Sequence, residues 1–322
     1  MNIHNFIQTK YNEPFIVQRA DPYVYRHEDG SYLFTASVPE YDRIVLRQSD
    51  TLDGLQDAEE VTIWKRHETG KMSMHIWAPE IHFIEGKWFL YFAASEKDDI
   101  WALRPYVLEC TGSDPIADPW IEKGQMQAAD DFSFQDFSLD MTVFKNQDKW
   151  YCVWAEKVSV GKKISNLYIA ELESPCRLST AQVLLTSPDY DWERVDFWVN
   201  EGPSLLRHED KLYLTYSASA TGACYCMGML SISSGADLLD PHAWKKERLP
   251  IMKTDWEKGI LGPGHNSFTK SEDGKEDIMI YHARQYDEIE GDPLYDPNRH
   301  TYRMKILWDK DGRPVFDMTN NF

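Results

Sequence analysis

Short apolar strands separated by polar turns recur along the whole chain. Runs of four to eight β-branched and aromatic residues are bounded by Gly, Asp and Asn, which is typical of strands joined by tight turns. The clearest of these runs are residues 32–37, 88–93, 150–154, 212–217 and 278–282. No long segment has the 3.6-residue period of an amphipathic helix. The pattern therefore predicts an all-β protein.

Each of these runs is the second strand of a unit that occurs five times. An acidic residue or a histidine opens a short apolar strand, a polar turn follows, and the aromatic-rich strand comes next. The leading residues, which are 59, 60, 61 and 64 positions apart, are Asp21, Glu80, Asp140, Glu201 and His265. Such a steady period indicates a repeat architecture, and about 60 residues hold the four strands of one propeller blade. We predict that residues 1–322 form a single domain, a five-bladed β-propeller whose blades are four-stranded antiparallel sheets.

A closed ring of repeats brings equivalent positions together around one axis. Four of the five leading residues are carboxylates, so the ring predicts a small acidic pocket. If the leading residues start the innermost strands, the loops that return to the same face surround that pocket. Four residues in or beside these loops are predicted to contact substrate: Trp77, Trp101, Asn166 and Arg284.

Two carboxyl groups that face each other across a pocket are the machinery of a glycosidase. One donates a proton to the leaving oxygen and the other stays ionised, while a third carboxylate raises the pKa of the acid by repulsion. Glu201 lies in the apolar segment WVNEGPS. Arg19 precedes Asp21 by two positions, and since residues i and i+2 share one face of a strand, Arg19 is expected to keep Asp21 ionised. Glu80 is interpreted as a structural hydrogen-bond acceptor.

His265 lies in GPGHNSF, between glycines that let the backbone approach another group closely. Two interpretations have equal weight. The residue is either a hydrogen-bonded histidine in a tight turn, or a histidine at the pocket floor that contacts substrate, water or a cation. The sequence has no HExxH motif, P-loop, GxGxxG or GxSxG, so a catalytic zinc, a nucleotide and a serine nucleophile are not expected.

Amino-acid composition further limits the classes of ligand that the protein is expected to bind. With 34 basic and 53 acidic side chains the net charge is −19, which argues against nucleic acids and anionic membranes as ligands. Aromatic residues make up 13% of the chain, and most of them are expected in the core while some stack on sugars. The five cysteines lack metal-binding spacing and are interpreted as reduced thiols. The N-terminal residues have neither a basic nor an apolar region of a signal peptide, so the sequence predicts a cytoplasmic protein.

Five segments closely resemble the motifs of glycoside hydrolase family 43, whose members are five-bladed propellers that invert configuration. In chain order they are RADPYV at 19–24, HIWAPEIHF at 75–83, SLDMTVF at 138–144, NEGPSLL at 200–206 and GPGHNSF at 262–268. The resemblance covers essentially the whole chain. It implies that Asp21 is the general base, Asp140 tunes and orients the acid, and Glu201 is the general acid. His265 is similar to an axial histidine near a bound water or a structural Ca²⁺, and no cofactor is otherwise required.

Family members cleave arabinofuranosyl or xylosyl linkages of plant cell-wall polysaccharides. Two segments, VPEYDRIVLRQSDTL and SASATGACYCMGML, are similar to exo-acting α-L-arabinofuranosidases, and Trp101 is similar to their aromatic residue beside the terminal sugar. The chain stops near the end of the fifth blade, without the β-sandwich of many β-xylosidases of the family. The expected substrates are therefore short α-1,5-arabino-oligosaccharides. A β-xylosidase or a bifunctional enzyme remains the main alternative, ahead of an endo-arabinanase and of a non-catalytic, sugar-binding propeller.

Overall fold

Five antiparallel sheets follow one another along the chain in the computed structural model, which describes residues 6–158 and 164–322. The first and second blades contain β1 (Ala20–Arg26), β2 (Tyr32–Ser37), β3 (Arg43–Ser49), β4 (Val61–Lys65), β5 (Met74–Ile84), β6 (Lys87–Glu96), β7 (Asp99–Cys110) and β8 (Trp120–Gln125). The third blade contains β9 (Ser138–Asn146), β10 (Lys149–Val158), β11 (Ile164–Ser174), β12 (Arg177–Leu178) and β13 (Val183–Thr186). The fourth and fifth blades contain β14 (Asn200–His208), β15 (Lys211–Ala218), β16 (Cys226–Ser233), β17 (Lys245–Lys246), β18 (Leu261–Lys270), β19 (Asp277–Arg284), β20 (His300–Trp308) and β21 (Pro314–Val315).

The predicted five-bladed β-propeller is confirmed. Strands pair in chain order within each blade, and the third blade adds a fifth short strand because β11 pairs with both β12 and β13. Helical structure in the described residues is limited to four 3₁₀ turns: Asp53–Leu55, Asp191–Glu193, Pro293–Tyr295 and Met318–Asn320. None of these turns approaches the length and apolarity of a membrane-crossing helix. All five cysteines are free thiols.

The blades close into a ring around the innermost strands β1, β5, β9, β14 and β18. Each inner strand contacts the next, and β1 meets β18. Apolar clusters fill the gaps between neighbouring blades, for example Leu33 and Leu90 between the first and second, and Phe34 and Ile280 between the fifth and first. Burial of these side chains is the main force that holds the blades together.

All five inner strands carry the same irregularity where they approach the axis. The pairing register skips two residues between Ala20 and Tyr23, Trp77 and Glu80, Leu139 and Thr142, Glu201 and Ser204, and Gly264 and Ser267. The first skipped residue always has positive φ: Asp21 (53°), Ala78 (45°), Asp140 (55°), Gly202 (55°) and His265 (41°). Such bulges bend a strand and re-aim its side chains.

The bulges correct the predicted equivalence of the five leading residues. Asp21, Asp140 and His265 occupy the same position of their blades, but Glu201 stands one residue before that position and Glu80 two residues after it. The even sequence spacing conceals this offset because the loops between blades differ slightly in length.

Candidate active site

A cavity of about 450 Å³ opens at the propeller axis. Its wall includes all three predicted catalytic carboxylates and three of the predicted substrate contacts: Asp21, Asp140, Glu201, Trp77, Trp101 and His265. Residues separated by more than 240 positions thus meet in one site, as the ring of repeats requires.

Asp21 lies in the cavity wall within a cluster of cations and hydrogen-bond donors. Ser37 Oγ donates a hydrogen bond of 2.6 Å to its Oδ2. Its Oδ1 lies 3.3 Å from His265 Nδ1 and 3.4 Å from Arg299 Nη1. Burial by itself raises the pKa of Asp21, but the charges of His265 and Arg299 outweigh it and hold that pKa well below its usual range. Asp21 is therefore a carboxylate that can accept a proton.

The cation that pairs with Asp21 is not the predicted one. Arg19 instead forms an ion pair with Glu60 and donates to it from Nε at 2.9 Å. The prediction assumes a regular strand through residues 19 to 21, but β1 begins at Ala20 and its register skips at Asp21, whose φ is positive, so the alternation of faces does not hold there. Arg299 takes this place from the fifth blade, 278 positions away, and nothing in its local sequence marks it.

Glu201 lies in the same wall in a different setting. Tyr225 donates a hydrogen bond of 2.9 Å from its hydroxyl to Glu201 Oε1. Burial raises the pKa of Glu201, and the Tyr225 hydroxyl and the charge of His265 offset this only in part. The carboxyl group therefore keeps its proton to a higher pH than an ordinary glutamate does. Tyr225, like Arg299, was not identifiable from the sequence.

Asp140 interacts with both Asp21 and Glu201. Its Oδ2 accepts a hydrogen bond of 2.9 Å from the backbone N–H of Gly202, the residue that follows Glu201. Burial raises the pKa of Asp140, and repulsion from Glu201 and Asp21 adds to the increase while His265 opposes it. The hydrogen bond fixes the peptide next to Glu201, and the shared negative field couples the protonation of the two groups.

His265 lies among the three carboxylates. Its Nδ1 is 3.8 Å from Asp140 Oδ2, and its backbone N–H donates to Ser217 Oγ at 2.7 Å. Burial lowers the pKa of an imidazole, but the three carboxylates outweigh this effect and raise the pKa of His265. No cluster of three or more His, Cys, Asp or Glu side chains suited to a metal occurs in the described chain. The structural Ca²⁺ near His265 stays a prediction.

Aromatic rings form the apolar part of the wall. Trp77 stacks on the buried ring of His75, with centroids 4.3 Å apart. Trp101 is 48% exposed, and its ring lies 6.5 Å from Phe137, another wall residue, in a stacked orientation. An exposed ring face beside carboxylates is a suitable platform for the apolar face of a sugar.

Three residues highlighted by the sequence do not line the cavity. Asn166 is predicted to contact substrate, but it is buried in the third blade, away from the cavity wall. Its side chain donates a hydrogen bond of 3.3 Å to the Tyr168 hydroxyl. Arg284, predicted in the same role, is buried and donates to backbone carbonyls behind the wall. Glu80 Oε2 lies 2.9 Å from His82 Nε2, which fits the structural role expected of it.

Comparisons with known proteins identify the family of this chain. The family model of the glycosyl hydrolases family 43 matches residues 11–314. An extracellular exo-α-(1→5)-L-arabinofuranosidase of Streptomyces avermitilis is 49% identical over 95% of this chain and 63% of its own length. An enzyme of the same name from Streptomyces chartreusis is 47% identical over 88% of this chain and 85% of its own. The crystal structure of an α-L-arabinofuranosidase from Lactobacillus brevis superimposes with a TM-score of 0.90, at 50% identity and 95% coverage of both chains.

These relatives also bear on the length of the chain and on its cellular location. The chain spans less than two thirds of the length of the Streptomyces avermitilis protein. The predicted cytoplasmic location is wrong, because both Streptomyces relatives are named extracellular. The free cysteines do not indicate the compartment here, since Cys110, Cys152 and Cys226 are buried in the fold.

Proposed function

The chain belongs to glycosyl hydrolases family 43, and from this premise we propose that it is an exo-acting α-L-arabinofuranosidase. The proposed reaction releases terminal L-arabinofuranose from short α-1,5-arabino-oligosaccharides. The names of the two Streptomyces relatives support the bond and the exo action. The cavity, at about 450 Å³, has the size of a small-molecule site and suits a sugar end better than a long polymer.

The opposite pKa directions of Asp21 and Glu201 in one cavity carry this proposal. An inverting glycosidase needs one ionised and one protonated carboxyl group, about 6.5–9.5 Å apart so that water fits between the base and the sugar. The cations beside Asp21 favour its ionised form, and burial favours the protonated form of Glu201. Each group is thus prepared for a different half of the reaction.

In the proposed mechanism, Asp21 removes a proton from a water molecule as the water oxygen bonds to the anomeric carbon. The bond from that carbon to the glycosidic oxygen breaks in the same step, and Glu201 gives its proton to the departing oxygen. Tyr225 occupies Glu201 Oε1, so the other carboxyl oxygen is the one that delivers the proton. Asp140 orients Glu201 through Gly202, and the positive His265 keeps Asp21 ionised.

Product analysis tests the substrate. Linear α-1,5-arabino-oligosaccharides and xylo-oligosaccharides are incubated separately with the protein, and the products are followed by chromatography. We expect arabinose as the first and only early product. Release of xylose at a comparable rate would assign a β-xylosidase or bifunctional activity to the same carboxylates, early arabinobiose or longer products would indicate endo cleavage, and no release at all would favour a binding propeller.

A further inference from the structure

Two loops from different blades contribute to the cavity wall and share no strand pairing. The fourth-blade loop, residues 219–225, contributes Ser219, Ala220 and Thr221 to the wall. The fifth-blade turn, residues 292–299, contributes Asp292, Leu294 and Arg299. Something other than the sheets must therefore set the distance between them.

Arg284, the last residue of β19, joins these loops from behind the wall. Its Nη1 donates to Thr221 O at 2.6 Å in the fourth-blade loop, and its Nη2 donates to Pro293 O at 2.5 Å in the fifth-blade turn. Its Nε lies 3.5 Å from Asp296 Oδ1. Only the planar, forked guanidinium can hold two carbonyls and a carboxylate in fixed directions at once.

The surroundings show that this side chain is structural rather than a free ligand-binding cation. Arg284 is only 3% exposed, and burial, together with the charge of Arg299, lowers its pKa to about 10, so it stays charged at neutral pH. Asp296 supplies the opposing charge and is itself held by the Tyr286 hydroxyl at 2.8 Å. A buried charge with all its partners in place is rigid and costly to disturb.

The fifth-blade turn is also connected to Asp21, the proposed general base. Tyr41 donates from its hydroxyl to Leu294 O at 2.5 Å, and Arg299 donates to the same hydroxyl at 2.6 Å. Arg299 then contacts Asp21. A shift of the turn therefore moves a piece of the substrate wall and the cation beside Asp21 together.

We propose that Arg284 is a positioning residue that locks the fourth-blade loop and the fifth-blade turn in the arrangement that binds substrate. The proposal rests on the proposed function for its kinetic consequence, but not for the contacts themselves. Small displacements of substrate-positioning groups are expensive in catalysis, so loss of the fork should lower kcat/KM about ten- to a hundredfold.

The test compares Arg284→Lys with Arg47→Lys. Arg47 is a matched control in the first blade, because it also donates to two carbonyls, Leu55 O and Gln56 O, and pairs with a carboxylate, Glu60. Both variants are assayed on 4-nitrophenyl α-L-arabinofuranoside, and both are examined by amide hydrogen exchange of peptides covering 219–225 and 292–299. If Arg284→Lys yields no folded protein, Arg284→Gln replaces it.

We expect the stated loss of kcat/KM, with KM raised, and faster exchange in both segments for the Arg284 variant alone. The Arg47 variant should stay within about twofold of wild type in kcat/KM, because its contacts are remote from the cavity. An Arg284 variant within about twofold of wild type would overturn the proposal. If wild type itself hydrolyses nothing, the proposed function fails, and the exchange data decide alone: unchanged exchange in both segments would then overturn the positioning role.

Discussion

Asp21 and Glu201 are both carboxyl groups in one cavity, and their surroundings shift their pKa values in opposite directions. Asp21 has two cations within 3.4 Å, whereas the nearest polar partner of Glu201 is a neutral hydroxyl. A carboxylate next to fixed positive charge stays ionised, and a carboxyl group in an apolar wall keeps its proton. In the proposed function, this difference in environment suits Asp21 to the role of base and Glu201 to the role of acid.

The loss of activity on removing the proposed proton donor, Glu201, should depend on the leaving group of the substrate. Glu201→Gln should lower kcat on arabino-oligosaccharides about 10²- to 10⁴-fold, because general acid catalysis contributes this much when the leaving oxygen is an alkoxide. On a 4-nitrophenyl glycoside, whose leaving group needs little protonation, the loss should be much smaller. Steady-state kinetics on both substrates measure the contrast.

Glu80→Gln is the matched control, since Glu80 is a buried carboxylate at an inner strand that does not line the cavity. Its kcat should stay within a few-fold of wild type on both substrates. Equal losses for both variants, or for both substrates, would contradict the role of Glu201.

The pH dependence of kcat/KM should show the effect of the cations beside Asp21. Because the pKa of Asp21 is well below its usual range, the acid limb of kcat/KM should lie below the pH at which ordinary aspartates titrate. The alkaline limb should lie above the ordinary carboxyl range, because burial raises the pKa of Glu201 and of Asp140.

His265→Asn removes a positive charge beside Asp21, which raises the pKa of Asp21 and should move the acid limb to higher pH. An unmoved acid limb in this variant would mean that Asp21 does not set it.

At the scale of elements, the decisive feature is the bulge repeated in every inner strand. The sequence predicts where the strands lie, and residues 32–37 coincide with the observed β2, because alternation and turn residues mark strands well. The sequence does not mark a two-residue register skip, since the skipped residues range from Gly to His. This is why Arg19 is a reasonable but wrong partner for Asp21, and why Glu80 looks equivalent in sequence to Asp21 and Asp140, which lie two positions earlier in their blades.

A methyl group at the fourth bulge should therefore harm the site more than the fold. Gly202 has a φ of 55°, and a Cβ there would stand 3.1 Å from the His265 ring. Gly202→Ala should lower stability by about 1–2 kcal/mol through the strained φ and should also lower kcat, because the ring and the bond to Asp140 must shift.

Gly86 offers the comparison, because it has a φ of 84° in a hairpin turn and open space where a Cβ would stand. Gly86→Ala should show a loss of stability of the same order with kcat unchanged. Thermal melting and steady-state kinetics of the two variants separate the effects. A Gly202 variant with wild-type kcat would show that the bulge does not position the site.

At the scale of the whole molecule, the ring must be closed before the site exists. All five blades contribute to the cavity wall, through Asp21, Trp77, Asp140, Glu201 and His265, and the first blade meets the last through β1 and β18. The period of the sequence predicts this closure, but Arg299 and Tyr225 could not be found from sequence, since contacts across blades follow from side-chain packing and leave no local pattern.

Closure should be sensitive to the segment before β1. Phe15 is buried between the first and fifth blades, and its backbone N–H donates to Thr301 O at 2.8 Å. Phe15→Ala should lower the free energy of unfolding by about 3–5 kcal/mol, as for other buried aromatic truncations. Phe6→Ala, at a side chain that is 51% exposed, should change it by less than about 0.5 kcal/mol in chemical denaturation. Equal effects would show that the first and fifth blades are not held together at Phe15.

The anomeric configuration of the first product tests the central claim, that Asp21 and Glu201 act as base and acid on opposite sides of one sugar. An α-1,5-arabino-oligosaccharide is mixed with enough protein to complete hydrolysis before mutarotation, and ¹H NMR follows the anomeric proton. The account predicts that β-L-arabinofuranose appears first and that the α-anomer grows in later by mutarotation. Initial appearance of the α-anomer would contradict it, because retention requires a covalent intermediate on a carboxylate nucleophile rather than direct attack by a water held by Asp21.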